Sequence, residues 1–194
     1  MYVLFEGVDG VGKSTQIEMI ARAHEDSLVT KEPGGTKIGQ KLREILLGGG
    51  FKLSARAEIL LFLADRAEHY QKMIKPNSSR LILSDRGFVS GVAYALANDA
   101  SLKIDDLLWL NSFALEGKFA DKIVFFEASE TLIKKRLSSR GLIDAIEARG
   151  LKYLLKVQEC MKEVLKAHKF NVLYIDASED IATINAKIEN FIKF

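Results

Sequence analysis

GVDGVGKST, residues 7–15, follows directly on YVLFE, residues 2–6. A short apolar, β-prone run breaks into a glycine-rich loop, and a helical pattern opens at Ser14. That succession reads as strand, anion cradle, helix. Gly7-x4-Gly12-Lys13-Ser14 is the complete phosphate-binding loop pattern. Its glycines let the backbone N–H groups of Gly7, Val8, Asp9, Gly10, Val11 and Gly12 turn inward around phosphate oxygens. The helix that follows offers its N-terminus to the same anion. Lys13 is expected to bridge the β- and γ-phosphates of a nucleoside triphosphate. Ser14 is expected to ligate Mg²⁺, and Thr15 to complete the cradle. Asp9, an acid inside an anion-binding loop, does not fit that task.

Outward from the loop, apolar β-prone runs recur at Tyr2–Phe5, Leu28–Thr30, Leu81–Ser84, Ile123–Phe126 and Val172–Ile175. Helical spacing fills Ser14–Ala23, Thr36–Leu47, Ser54–Ile74, Ile104–Leu115, Leu151–His168 and Asp180–Ile192. Strands apolar on both faces, alternating with helices, predict an α/β fold with a parallel sheet covered on both sides. No linker or repeat interrupts the chain, so residues 1–194 are read as one domain. In such sheets ligands gather beyond the carboxyl ends of the strands. Gly7–Thr15, Glu32–Thr36 and Asp85-Arg86 all follow strands.

The bulk numbers exclude several classes. A net charge of +2 over 194 residues gives no footprint for a nucleic-acid partner. The single cysteine, Cys160, allows no internal disulfide and is read as a packed or idle thiol. No apolar run approaches the ~20 residues of a membrane span. No targeting leader is visible, and the expected location is the cytoplasm. His24, His69 and His168 show no metal-site spacing and are read as surface residues. Trp109 is read as core or subunit interface.

The loop alone names no reaction. A guanine-reading Asn-Lys-x-Asp is absent from the sequence, which argues against a GTPase switch. A mechanical ATPase usually closes its third-run strand with an aspartate-glutamate pair. Here the strand ends Leu83-Ser84-Asp85-Arg86. An arginine beside the acid suggests a second bound anion, which suits a kinase acting on a phosphorylated small molecule. Phe62 and Arg66 share a helix face. They form either a stacking surface with a planar hydrogen-bond donor, or a core phenylalanine with a surface arginine.

Four further stretches join the loop: TKEPGGT at 30–36, LLFLADRAE at 60–68, DRGFVSGVAY at 85–94 and RLSSRGLIDAIE at 136–147. Together, in this order and through VLYIDAS at 172–178, they resemble the thymidylate kinases. The resemblance implies a P-loop kinase fold in three layers with a five-stranded parallel sheet. It implies Mg²⁺-dependent transfer of the γ-phosphate of ATP to thymidine monophosphate, and a homodimer. It also implies roles in the acceptor site: Phe62 stacks on thymine, Arg66 donates to its 4-carbonyl, and Arg86 clamps the acceptor phosphate. Tyr94, with Ser90 and Gly91 beside it, lies beneath the deoxyribose. Pro33 shapes the pocket wall. Asp9 takes a hydrogen bond from the sugar 3′-hydroxyl, and Asp85 holds Mg²⁺ through water. Another nucleoside monophosphate or deoxynucleoside kinase is the alternative enzyme, and a P-loop NTPase switch the alternative outside the kinases.

Some thymidylate kinases carry a catalytic arginine in the P-loop, where this chain has Gly10. The chain therefore resembles the subgroup whose lid supplies the charge. The lid is placed at about residues 136–149. Arg140 is expected at the transferring phosphate and Arg136 against adenine, with Ala177 and Ser178 lining its other side. Arg149 is the alternative to Arg140. The catalytic set expected overall is Lys13, Arg86, Arg140 and Arg136.

Overall fold

A computed structural model describes residues 1–138 and 150–193. The five predicted strands are present, each ending one residue beyond its apolar run: β1 Tyr2–Glu6, β2 Leu28–Lys31, β3 Ile82–Asp85, β4 Lys122–Glu127 and β5 Val172–Asp176. They form one parallel sheet in the order β2-β3-β1-β4-β5. β1 is buried along its whole length, at the centre.

The strand order assigns the helices to faces. The connection from β1 to β2, through α1 (Lys13–Ala23), runs across the sheet in one direction. Those from β2 to β3, β3 to β4 and β4 to β5 run in the other. Right-handed crossovers therefore put α1 on one face. The opposite face takes α2 (Lys37–Leu47), α3 (Ala55–His69), α4 (Phe88–Asn98), α5 (Ile104–Ala114), α6 (Glu130–Ser138) and α7 (Leu151–Ala167). The packing agrees: α4 lies against α7, α3 and α5, while α8 (Ile181–Ile192) returns to α1. Phe5, Phe88, Phe125, Phe126 and Met161 fill the space between sheet and helices.

Helix starts follow their capping residues. The Thr36 hydroxyl accepts from the Gly39 N–H at 2.9 Å, and the Asp180 carboxylate accepts from the Thr183 N–H at 2.9 Å. α3 is shorter than the Ser54–Ile74 pattern predicts. It ends at His69 and runs on as a π-helical turn, Tyr70–Ile74, then a 3-10 turn, Lys75–Asn77. Pro76 has no N–H to continue an α-helical ladder, so the chain loosens ahead of it.

β1 pairs with β3 so that Phe5 stands opposite Asp85, and with β4 so that Phe5 stands opposite Val124. The phosphate loop therefore opens at the carboxyl edge of the sheet, flanked by the end of β3. The connections leave for opposite faces there, which is where a crevice forms in an open α/β sheet.

Candidate active site

The loop after β1 adopts the conformation its glycines predict. Gly7, Gly10 and Gly12 all have positive φ, and Gly12 caps α1. A Cβ on Gly7 would lie 2.7 Å from the Phe126 carbonyl oxygen, so the loop also needs glycine for its close approach to β4. The Lys13 ammonium turns back into the loop and donates to the carbonyls of Gly7 and Val8, both at 3.0 Å. Burial, with Arg86 nearby, lowers its pKa to about 8. Asp85, Asp9 and Glu6 oppose that shift only in part, and a polyanion in the cradle would add counter-charge.

A cleft of about 500 Å³ opens over this loop, lined by residues 9–16, Asp85, Arg86, Phe126 and Arg136. Arg136, at the end of α6, bridges its two sides. It donates to the Gly10 carbonyl at 2.8 Å and to the Ala177 carbonyl at 3.0 Å. The predicted partners Arg136 and Ala177 are thus together, with Ser178 next in the chain. Arg140, Arg149 and the rest of the predicted lid lie outside the described residues.

A second, narrower cavity of about 70 Å³ shares Asp9, Glu32, Arg43 and Arg86 with the first. Its wall brings together eight residues drawn from four separate stretches of sequence: Asp9, Pro33, Phe62, Arg66, Arg86, Ser90, Gly91 and Tyr94. The Glu32–Pro33 peptide bond is cis.

Arg86 stands between the two cavities. Its Nη2 donates to Asp9 at 2.7 Å, and its Nη1 to the Gly7 carbonyl at 3.0 Å and to Ser90 Oγ at 2.9 Å. Its guanidinium lies 5.8 Å from the centre of the Tyr94 ring. Burial opposes its charge, but Tyr94, Asp9 and Asp85 outweigh that and raise its pKa. Its backbone sits at φ 70°, a left-handed turn that swings the side chain out of the β3 direction.

Arg66 is not a surface arginine. It is 3% exposed, donates from Nε to Glu32 at 2.8 Å and from Nη1 to Asn111 at 2.6 Å, and lies against Gly91. A Cβ on Gly91 would stand 3.1 Å from both terminal nitrogens. His69 corrects the sequence reading more sharply, because it is fully buried. Its Nδ1 meets Glu32 at 2.8 Å and its Nε2 meets Thr30 Oγ1 at 2.7 Å. α3 carries it down onto the loop after β2, where Glu32 offers a charge and Thr30 a hydroxyl. Trp109 is 68% exposed, which removes the core reading. His168 is exposed and His24 half-buried, paired with Glu189.

Sequence reasoning missed three contributors. Arg43, on α2, lines both cavities and donates to the Pro33 carbonyl at 2.9 Å. Asn111 holds Arg66 from α5, and no local signal marks it. Glu6 is buried beneath the loop, and its signal was visible: an acid closing an otherwise apolar strand.

The comparisons with known proteins decide the family. The family model described as Thymidylate kinase matches residues 5–188. The chain belongs to the thymidylate kinase family. The thymidylate kinase of Campylobacter concisus is 64% identical over the full length of both chains. That of Campylobacter fetus subsp. fetus is 55% identical over 99% of this chain and all of the relative. The solved thymidylate kinase of Candida albicans superposes with a TM-score of 0.79 at 27% identity, covering 98% of this chain and 89% of that one. The expected P-loop kinase fold is therefore the observed one. Thymidylate kinases phosphorylate thymidine monophosphate to the diphosphate at the expense of ATP, and this chain is an enzyme of that class.

Proposed function

We infer that ATP occupies the larger cleft and thymidine monophosphate the smaller cavity, with phosphoryl transfer across Arg86. The observation that carries this reading is the position of Arg86, an anion clamp with one face on the phosphate loop and the other on a base-sized wall. An acceptor monophosphate lying on Arg86 would face the γ-phosphate held by the loop and Lys13. The acceptor oxygen is already ionised near neutrality, so its bond to the γ-phosphorus forms as the β–γ bridging oxygen leaves, with no general base required. Arg136 flanks adenine, and Arg140 meets the charge developing on the transferring group.

Phe62 and Arg66 read the base. Arg66 is a pure donor, so it suits the thymine 4-carbonyl and opposes the cytosine 4-amino group. Tyr94 lies under the sugar, and Asp9 takes its 3′-hydroxyl once the phosphate has replaced Asp9 on Arg86.

The oxygens of Ser14 and Asp85 suit Mg²⁺. The Ser14 hydroxyl donates to Asp85 Oδ2 at 3.1 Å, and Asp85 Oδ1 is buried without a hydrogen-bond partner among the described residues. An orphaned hard oxygen beside a hydroxyl is a fitting donor set for this cation. When bound, Mg²⁺ neutralises charge on the β- and γ-phosphates.

The chain works as one domain and as a homodimer. Trp109 and Phe113, one turn apart on α5, are 68% and 80% exposed, an apolar face that supports pairing. Among the described residues no helix is long and apolar enough to cross a membrane. The cytoplasm, where ATP is available, is the proposed location.

One assay tests the reading: ATP and Mg²⁺ with a panel of nucleotides and nucleosides, followed by ADP release. Saturable release that requires thymidine monophosphate is expected. Equal turnover without an acceptor would overturn it.

A further inference from the structure

Glu6 puts a carboxylate where the strand pattern calls for an apolar side chain. It closes β1 and is fully buried, and both its oxygens are taken by one residue of another element. The Ser90 N–H reaches Oε1 at 3.3 Å, and the Ser90 hydroxyl reaches Oε2 at 2.5 Å. A buried carboxylate is costly to hold, and an apolar side chain in its place would pack at less cost.

Counting donors gives the carboxylate a task. A serine hydroxyl owns one hydrogen. Arg86 Nη1 can only donate, and it points at the same Ser90 Oγ from 2.9 Å. Oγ must therefore accept from Arg86 and direct its own hydrogen to Glu6. A carboxylate in its ionised form enforces that direction, because it can only accept. If the hydroxyl hydrogen turned toward Arg86, donor would face donor and the guanidinium would lose one of its supports.

We propose that Glu6 is a positioning residue for the acceptor phosphate: it fixes the direction of the Ser90 hydroxyl and, through it, the plane of the Arg86 guanidinium. Glu6 itself touches no substrate. The inference rests on the reading of Arg86 as the phosphate clamp. The guanidinium is braced from three directions, by Ser90, the Gly7 carbonyl and Asp9. Only the Ser90 brace depends on a second residue for its polarity.

Glu6→Gln is the test. The amide keeps the shape but has one donor end, so either orientation sets a donor against the Ser90 N–H or O–H. Steady-state kinetics and thermal unfolding are run on the wild type, Glu6→Gln, Ser90→Ala, the double variant and Arg86→Lys. We expect Glu6→Gln to raise the KM for thymidine monophosphate about tenfold, with the ATP KM and kcat changed less than about threefold. The double variant should be no worse than Ser90→Ala alone, because the effect of Glu6 passes through Ser90. Ser90→Ala keeps the carboxylate and carries the same expectation should Glu6→Gln fold poorly. The proposal is overturned if Glu6→Gln spares the acceptor KM while Arg86→Lys raises it. It is also overturned if the two single effects add, or if both substrate KM values rise together with a lowered Tm. An acceptor KM unchanged in Arg86→Lys would overturn the clamp reading itself, and the inference with it.

Discussion

Arg66 Nε stands 2.8 Å from Glu32 Oε2, and both side chains are 3% exposed. The pair is closed on all sides. Glu32 Oε1 takes His69 Nδ1, His69 Nε2 meets Thr30, and Arg66 Nη1 meets Asn111. A buried pair of this kind adds little over an apolar core, but breaking it by removing one partner costs about 3–5 kcal/mol.

Glu32→Ala should therefore lower the unfolding free energy by about 3 kcal/mol or more, read from urea titration. The same group carries a pH signature. Burial pushes the Glu32 carboxyl up, but Arg66 and His69 outweigh it and hold it below the ordinary 4.5. A folded-state pKa below the unfolded one contributes stability above about pH 4.5, lost as pH falls through the folded value. Glu6 and Asp65, raised by burial, act in the opposite sense. The difference between wild type and Glu32→Gln carries the Glu32 part: it should shrink as the solution is acidified below about pH 4.5. A difference that grows toward low pH would contradict the assignment.

Arg66→Met should narrow the preference for thymidine monophosphate over deoxycytidine monophosphate by about tenfold or more in kcat/KM. The ratio matters more than either value, because the substitution also strips Glu32 of its partner and lowers stability. An unchanged ratio would remove Arg66 from base reading.

The two lid-side arginines should separate kinetically. Arg136→Ala removes the bridge between Gly10 and Ala177 and should raise the KM for ATP with a smaller change in kcat. Arg140→Ala should lower kcat by about 10³-fold and leave the affinity for thymidine monophosphate nearly intact. The same loss in Arg149→Ala instead would move the catalytic charge to that residue.

Phe113→Glu, combined with Trp109→Glu, puts two charges on the exposed face of α5. Light scattering after size exclusion should give a dimer for the wild type and a monomer of intact fold for the variant. A dimer that survives both charges would send the interface elsewhere.

Local chemistry made the framework readable. The strands were apolar runs with turn residues at their ends, and Gly7–Ser14 carried its geometry in its glycines. All of the smaller cavity's lining except Arg43 and Leu47 lay in stretches that the family resemblance marked. The buried polar network was hidden for a physical reason. Glu32 and His69 are 37 positions apart and sit among charged neighbours, so each looks solvated when taken alone. Only the docking of α3 on the loop after β2 makes them partners. The π-helical turn after His69 was hidden likewise, since periodicity over Ser54–Ile74 does not distinguish a fifth-residue bond from a fourth-residue one.

The Asp9–Arg86 contact also bears on what the site refuses. A free inorganic phosphate arriving at Arg86 must displace a carboxylate seated 2.7 Å away. On the proposed reading, a nucleotide brings its own replacement, a sugar hydroxyl for Asp9 to receive. The ion pair would then be a competitor built into the pocket, one that a ligand with both groups displaces at less cost. On that reading, free phosphate meets at Arg86 an occupant that a nucleotide is better equipped to replace.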